Sequence, residues 1–214
     1  MEKNIFKLKK RTYLKHFKTV KYISIILISP MAKPTTIKDA LRIWEEKNDK
    51  DPTTATEIGL QFQYPPIEKM DSTLNTLVNC RKLSLSSNMV EKITGINQLK
   101  NLRILSLARN NLKNINGVEA LGDTLEELWV SYNMIEKIKP IESMKVLRIF
   151  YISHNLIKDW AEFNRIALAP KLEEISFLGN ILNENMDELA FRNEAIRRLP
   201  LLKKLDGETV IRGD

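Results

Sequence analysis

One cysteine, two histidines and seven glycines among 214 residues leave little from which to build a chemical centre. A lone Cys80 excludes an internal disulfide framework and suits a reducing compartment. One thiol and two distant imidazoles, His16 and His154, cannot complete a zinc site, so no metal site is expected. Neither histidine has a serine, cysteine or aspartate arrangement to pair with for nucleophilic catalysis, and no glycine-rich loop is present to cradle a phosphate. The chain therefore reads as non-catalytic and free of cofactors.

Long apolar runs are also missing. The segment Tyr22 to Ser29 has eight residues and ends at Pro30, whereas a bilayer span needs about 20. Ser29-Pro30-Met31-Ala32-Lys33 is a poor signal-peptide cleavage site, and a mitochondrial presequence should be richer in arginine and serine. Residues 1–30 are read as a basic extension, disordered or non-native, upstream of a start at Met31. That segment also holds the whole net charge of +7, with eight basic residues against Glu2. The remainder balances at 26 basic and 26 acidic side chains, so the total implies no nucleic-acid patch on the folded body.

What the sequence does have is a period. Leu102, Leu105, Leu107, Asn110, Leu112, Ile115 and Val118 form one unit. Cys80, Leu83, Leu85, Asn88, Val90 and Ile93 form another, as do Leu125, Leu128, Val130, Asn133, Ile135 and Ile138. Leu147, Phe150, Ile152, Asn155, Ile157 and Trp160 follow, and then Leu172, Ile175, Phe177, Asn180 and Leu182. The asparagines step by 22, 23, 22 and 25 residues. This is the leucine-rich repeat pattern. The two apolar residues of each L-x-L share one face of a short strand, which a single repeat cannot bury. Neighbours must therefore stack into a parallel sheet over one core. Where the chain leaves the strand its polar backbone turns inward. An asparagine, with both acceptor and donor, can satisfy that turn, so Asn88, Asn110, Asn133, Asn155 and Asn180 are read as a structural ladder.

The expected fold is thus an α/β leucine-rich repeat solenoid of about six repeats over 57–182. Residues 31–56 supply a cap helix and linker, with Thr36 as N-cap and Ile37, Ala40, Leu41 and Trp44 facing inward. The first repeat is degenerate: Leu60, Phe62, Ile67 and Met70 fit if Pro65 takes the asparagine position. Residues 183–214 supply a cap helix from Asn183 to Arg198, with Met186, Leu189, Ala190, Asn193 and Ile196 along one side, and a tail. Cys80 is read as a small buried hydrophobe.

Strand residues alternating with the core point outward. They read Lys82, Ser84, Ser86; Ile104, Ser106, Ala108; Glu127, Trp129, Ser131; Ile149, Tyr151, Ser153; and Glu174, Ser176, Leu178, with Arg109, Tyr132 and His154 at the rim. Trp129 and Tyr151 fall at one level on adjacent strands, with Ile104, Ile149 and Leu178 around them. An exposed apolar patch of this kind marks an interaction site, against the plainer alternative of a tolerated surface pair. Ile104, Ser106, Arg109, Trp129, Tyr132, Ile149, Tyr151, His154 and Leu178 are the candidate partner-binding residues. Arg192, Arg197 and Arg198, with Lys203 and Lys204, could meet an acidic surface, or could form an ordinary solvated cap face.

The blocks Met31-Ala-Lys-Pro-Thr-Thr-Ile-Lys-Asp-Ala40, Pro65-Pro-Ile-Glu-Lys-Met-Asp71, Asn101-Leu-Arg-Ile-Leu-Ser-Leu107, Asp123-Thr-Leu-Glu-Glu-Leu-Trp-Val-Ser-Tyr-Asn133 and Leu202-Lys-Lys-Leu-Asp-Gly207 carry a closer likeness. Over Met31 to about Ile211 the chain resembles the light chain 1 family of axonemal outer-arm dynein. The resemblance implies a monomeric, non-catalytic ciliary subunit in the cytoplasm and cytoskeleton of the axoneme. It implies binding to an outer-arm dynein heavy chain in the motor region, near the microtubule-binding stalk tip, with possible contact to tubulin and regulation of motility. Nucleic acid and membrane are not among the implied partners. Trp129 matches the tryptophan of the family's exposed sheet face, with Tyr132 and Asn133 in register. Only Glu208 to Asp214 follow the Leu-Asp-Gly cap, so the implied tubulin contact rests on Arg212 or on Arg192, Arg197 and Arg198. The alternative is another scaffold of the same repeat class, such as a phosphatase regulator or an RNA-splicing adaptor.

Overall fold

The computed structural model describes residues 33–212; the extension at 1–30 lies outside the described residues. The described residues open with helix α1 (Ile37–Asn48). Thr36 caps it, its hydroxyl accepting from the Asp39 amide at 3.1 Å. Asp49 closes it in the left-handed conformation. Ile37, Ala40 and Leu41 are buried and Trp44 packs against the core, as the helical spacing requires.

Strands β1 (Glu57–Gly59), β2 (Lys82–Ser84), β3 (Ile104–Ser106), β4 (Glu127–Trp129), β5 (Ile149–Tyr151) and β6 (Glu174–Ser176) pair in parallel, each with its sequence neighbour. Their central residues Ile58, Leu83, Leu105, Leu128, Phe150 and Ile175 are in register and essentially inaccessible. Behind the sheet, short 3-10 turns such as Val118–Leu121 and Ile141–Ser143 return the chain and bury Leu121, Ile141 and Met144 against the strand leucines. Cys80 is buried in this core, and desolvation pushes its thiol up to about 11.

The sheet runs to eight strands rather than six. After helix α2 (Trp160–Asn164), α3 (Ile181–Glu184) and α4 (Glu188–Arg198), β7 (Lys204–Leu205) adds in parallel to β6 and β8 (Glu208–Thr209) folds back antiparallel. The turn is Asp206-Gly207, both at positive φ (52° and 84°), which suits a two-residue hairpin. Asp206 also accepts from the amides of Phe177 (2.6 Å) and Leu178 (2.9 Å), closing the exposed edge of β6.

Two expectations need correction. In the first repeat the inward pair is Ile58 and Leu60, not Leu60 and Phe62, because Ile58 registers on Leu83. The asparagine position therefore falls on Gln63, and Phe62 is 76% exposed. Two additional residues separate Gln63 from Ile67, so counting back from Ile67 lands on Pro65. In the C-terminal cap the helix is broken. Asp187 recaps the chain, its carboxylate accepting from Ala190, and the buried residues of α4 are Phe191 and Ala195. Leu189, Ala190 and Asn193 are exposed instead. Phe191 belongs to an aromatic cluster, stacked on Phe177 at 5.6 Å and on Trp160 at 5.6 Å, with Phe163 edge-on to all three.

Candidate protein-docking face

Each ladder asparagine is buried and reaches back one repeat. The Asn133 amide donates to Leu107 O (3.0 Å) and Val130 O (2.9 Å), while its carbonyl accepts from Leu112 N (2.9 Å). Asn88, Asn110 and Asn155 repeat the arrangement, with carbonyls accepting from Ile67, Val90 and Ile135. Asn180 does the same at the last repeat, accepting from Ile157 at 3.2 Å, and also caps α3. Polar atoms buried in the turn are thereby paired.

The residue before each of these positions adopts a left-handed backbone: Phe62, Ser87, Arg109, Tyr132 and His154, with φ between 54° and 59°, and Gly179 at 78°. One column thus runs along the rim. The Arg109 guanidinium lies 4.2 Å over the Tyr132 ring, and Tyr132 stacks on His154 with centroids 4.2 Å apart. L-residues pay about 1–2 kcal/mol each for that conformation, a strain that clusters at functional sites.

Beside the rim, Trp129 and Tyr151 stack across β4 and β5 with centroids 5.9 Å apart and planes 24° from parallel. The Trp129 indole donates to Glu127 at 3.1 Å. The Tyr151 hydroxyl donates to Glu174 at 2.7 Å, a bond that pushes the phenol up to about 12. Both rings are half-buried, as are Ile104 and Ile149, and Leu178 is 52% exposed. The structure therefore brings Ile104, Trp129, Ile149 and Tyr151 onto one sheet face, with Arg109, Tyr132 and His154 in a column alongside.

Ser106 does not belong to the open face. It is only 6% exposed, lying between Ser84 and the much larger Trp129 on neighbouring strands, with its hydroxyl 2.7 Å from that of Ser86. Ser153 is buried in the same way and paired with Ser176.

The arginines of the C-terminal cap are engaged internally. Arg192 donates to Leu205 O and Thr209 O, tying α4 to the β7–β8 hairpin, and Arg212 donates to Leu199 O and Leu202 O. Arg198 stacks over Trp160 at 4.5 Å and shares Glu194 with Arg197. The two guanidiniums, Arg197 first, hold the Glu194 carboxyl down to about 2. Among Arg192, Arg197 and Arg198, Arg197 has the most open side chain, 68% exposed against 23% for each of the other two.

Reasoning from the strand pattern missed Met89, Met134 and Leu156, all at least 36% exposed and each directly after a ladder asparagine. That position has no inward duty in the repeat. Apolar residues there in three of the first four asparagine-bearing repeats, Asn111 being the exception, were the available signal.

A sheet of this topology, with an aromatic face and asparagine-pinned turns, defines a leucine-rich repeat protein. The family model for leucine-rich repeats (two copies) matches residues 78–120. Solved structures share the fold: an internalin (inlF) from Listeria monocytogenes at TM-score 0.55 and 17% identity covers 74% of this chain and 49% of that one. Internalin C2 from the same bacterium gives TM-score 0.52 at 22% identity, covering 65% and 58%. The sequence defines the family more narrowly. Human dynein axonemal light chain 1 is 60% identical over 185 residues, 86% of this chain and 97% of its own length. The protein of the same name from Chlamydomonas reinhardtii is 50% identical over 184 residues, covering 84% and 93%. The chain belongs to the dynein axonemal light chain 1 family, whose place is the cytoskeleton of the ciliary axoneme.

Proposed function

We propose that this chain is a non-catalytic light chain that binds an outer-arm dynein heavy chain in its motor region, near the microtubule-binding stalk tip, and thereby tunes ciliary motility. The observation that carries the reading is the stacked Trp129–Tyr151 pair on the sheet face, flanked by Ile104 and Ile149. Aromatic anchors surrounded by aliphatic contacts are the usual centre of a protein interface. In a member of a family named for dynein, a heavy chain is the partner such an anchor would meet. Tubulin contact would run along the outer side of α4 and the tail, where Arg197 is more open than Arg192 or Arg198, and where Arg192, Arg198 and Arg212 also brace the cap.

Affinity purification of the tagged chain from ciliated cells tests this directly. A co-purifying outer-arm dynein heavy chain is expected. Recovery of a phosphatase or a spliceosomal particle, with no dynein heavy chain, would overturn the proposal.

A further inference from the structure

Along β3, β4 and β5 one transverse row reads Ile104, Glu127, Ile149, and the next reads Ser106, Trp129, Tyr151. A carboxylate thus sits between two isoleucines at the foot of the aromatic pair. Its acidic neighbours are all neutralised: Glu126 by Arg103 (3.4 Å), Glu173 by Arg148 and Lys203 (2.9 Å each), and Glu174 by Lys204 (3.5 Å). Glu127 is different. Its one side-chain partner is the neutral Trp129 indole N–H, and among the described residues no cationic nitrogen lies within 4.0 Å; Arg148 lines the same groove and acts on Glu127 from farther off, but its guanidinium is bonded to Glu173.

Whatever covers Trp129, Tyr151, Ile104 and Ile149 must also strip water from Glu127. An unpaired carboxylate inside an apolar contact opposes association, whereas one that receives a cation supports it and fixes the register. The site has the form a basic side chain needs. The isoleucines would take the aliphatic stem, the Trp129 ring face would take the cation, and the carboxylate would take its charge.

We propose that the partner segment seated on the Trp129–Tyr151 pair presents a lysine or arginine that pairs with Glu127. The proposal rests on the reading of this face as the heavy-chain docking surface and adds the chemistry of what docks there.

The probe is an isolated heavy-chain fragment spanning the stalk tip, titrated calorimetrically with the full chain at low and high salt. Glu127→Gln keeps an acceptor for Trp129 and should leave melting unchanged, while weakening binding about tenfold and flattening its salt dependence. Glu127→Lys should weaken binding about a hundredfold. A single Lys→Glu or Arg→Glu change in the fragment should restore it. Trp129→Ala separates the two claims. If wild type binds, Trp129→Ala weakens binding and Glu127→Gln binds as well as wild type, the basic-residue proposal is overturned and the docking face stands. If the wild-type chain does not bind the fragment, the docking reading fails and this proposal fails with it.

Discussion

The imidazole of His154 lies face to face with the phenol of Tyr132, centroids 4.2 Å apart and planes 19° from parallel, and both residues hold a left-handed backbone. Gly179 continues the column with φ 78°, and a Cβ there would come within 2.3 Å of His154 Nδ1. Gly179→Ala should therefore cost about 1–2 kcal/mol from backbone conformation alone, with added loss from the displaced imidazole. Chemical denaturation measures the cost, and a shift of the His154 ring resonances reports the displacement. An unaltered midpoint would mean that the column yields without strain.

Asn180 satisfies buried backbone groups of both its own repeat and the preceding one. Asn180→Ser shortens the side chain and leaves part of that turn unpaired, at a cost of about 1–3 kcal/mol. Thermal unfolding checks it. Wild-type stability would show that water or a shifted backbone replaces the amide.

Tyr151 offers a titration. The bond to Glu174 pushes its phenol up to about 12, whereas an unfolded tyrosine ionises near 10. Between those values the unfolded chain loses its proton first. The contribution to stability is therefore complete below about pH 10 and falls away as pH rises toward 12. Ultraviolet difference titration of wild type against Tyr151→Phe isolates the group, and Glu174→Gln should return its midpoint toward the ordinary value.

The paired change Trp129→Ala with Tyr151→Ala removes the anchor without opening the core, since both rings lie outside the buried leucine layer. Aromatic stacks contribute about 0.5–1.5 kcal/mol beyond area, so the melting temperature should fall by a few degrees at most. Affinity for a heavy-chain fragment should fall at least tenfold, as measured by equilibrium titration. A collapse in stability would identify the two rings as core instead.

Much of this architecture was legible in the residues because two simple rules govern it. Alternation along a strand decides which residues face inward, so Leu105, Leu128 and Phe150 could be named without coordinates. A turn that buries its backbone needs an amide, so the asparagines marked the register. The rules failed where local chemistry competed. Gln63 falls at the asparagine position but its amide reaches only Gln61 O, and two additional residues follow it; spacing alone does not reveal where an insertion lies. Ser106 alternates outward yet is buried, because a neighbouring indole is tall enough to shield a hydroxyl that also finds Ser86. Asp187 is a capping residue inside what reads as one helix, and the restart turns Phe191 rather than Leu189 toward the core. The left-handed column was invisible because arginine, tyrosine and histidine give no sign of positive φ.

The docking face is tested most directly in intact axonemes by placing a photoreactive benzophenone side chain at position 151, on the sheet, and separately at position 168. Leu168 is 51% exposed on the turn layer behind the core. Irradiation should join the chain to an outer-arm dynein heavy chain from position 151 and not from position 168. Heavy-chain adducts from position 168 with none from position 151 would refute the assignment of the sheet face.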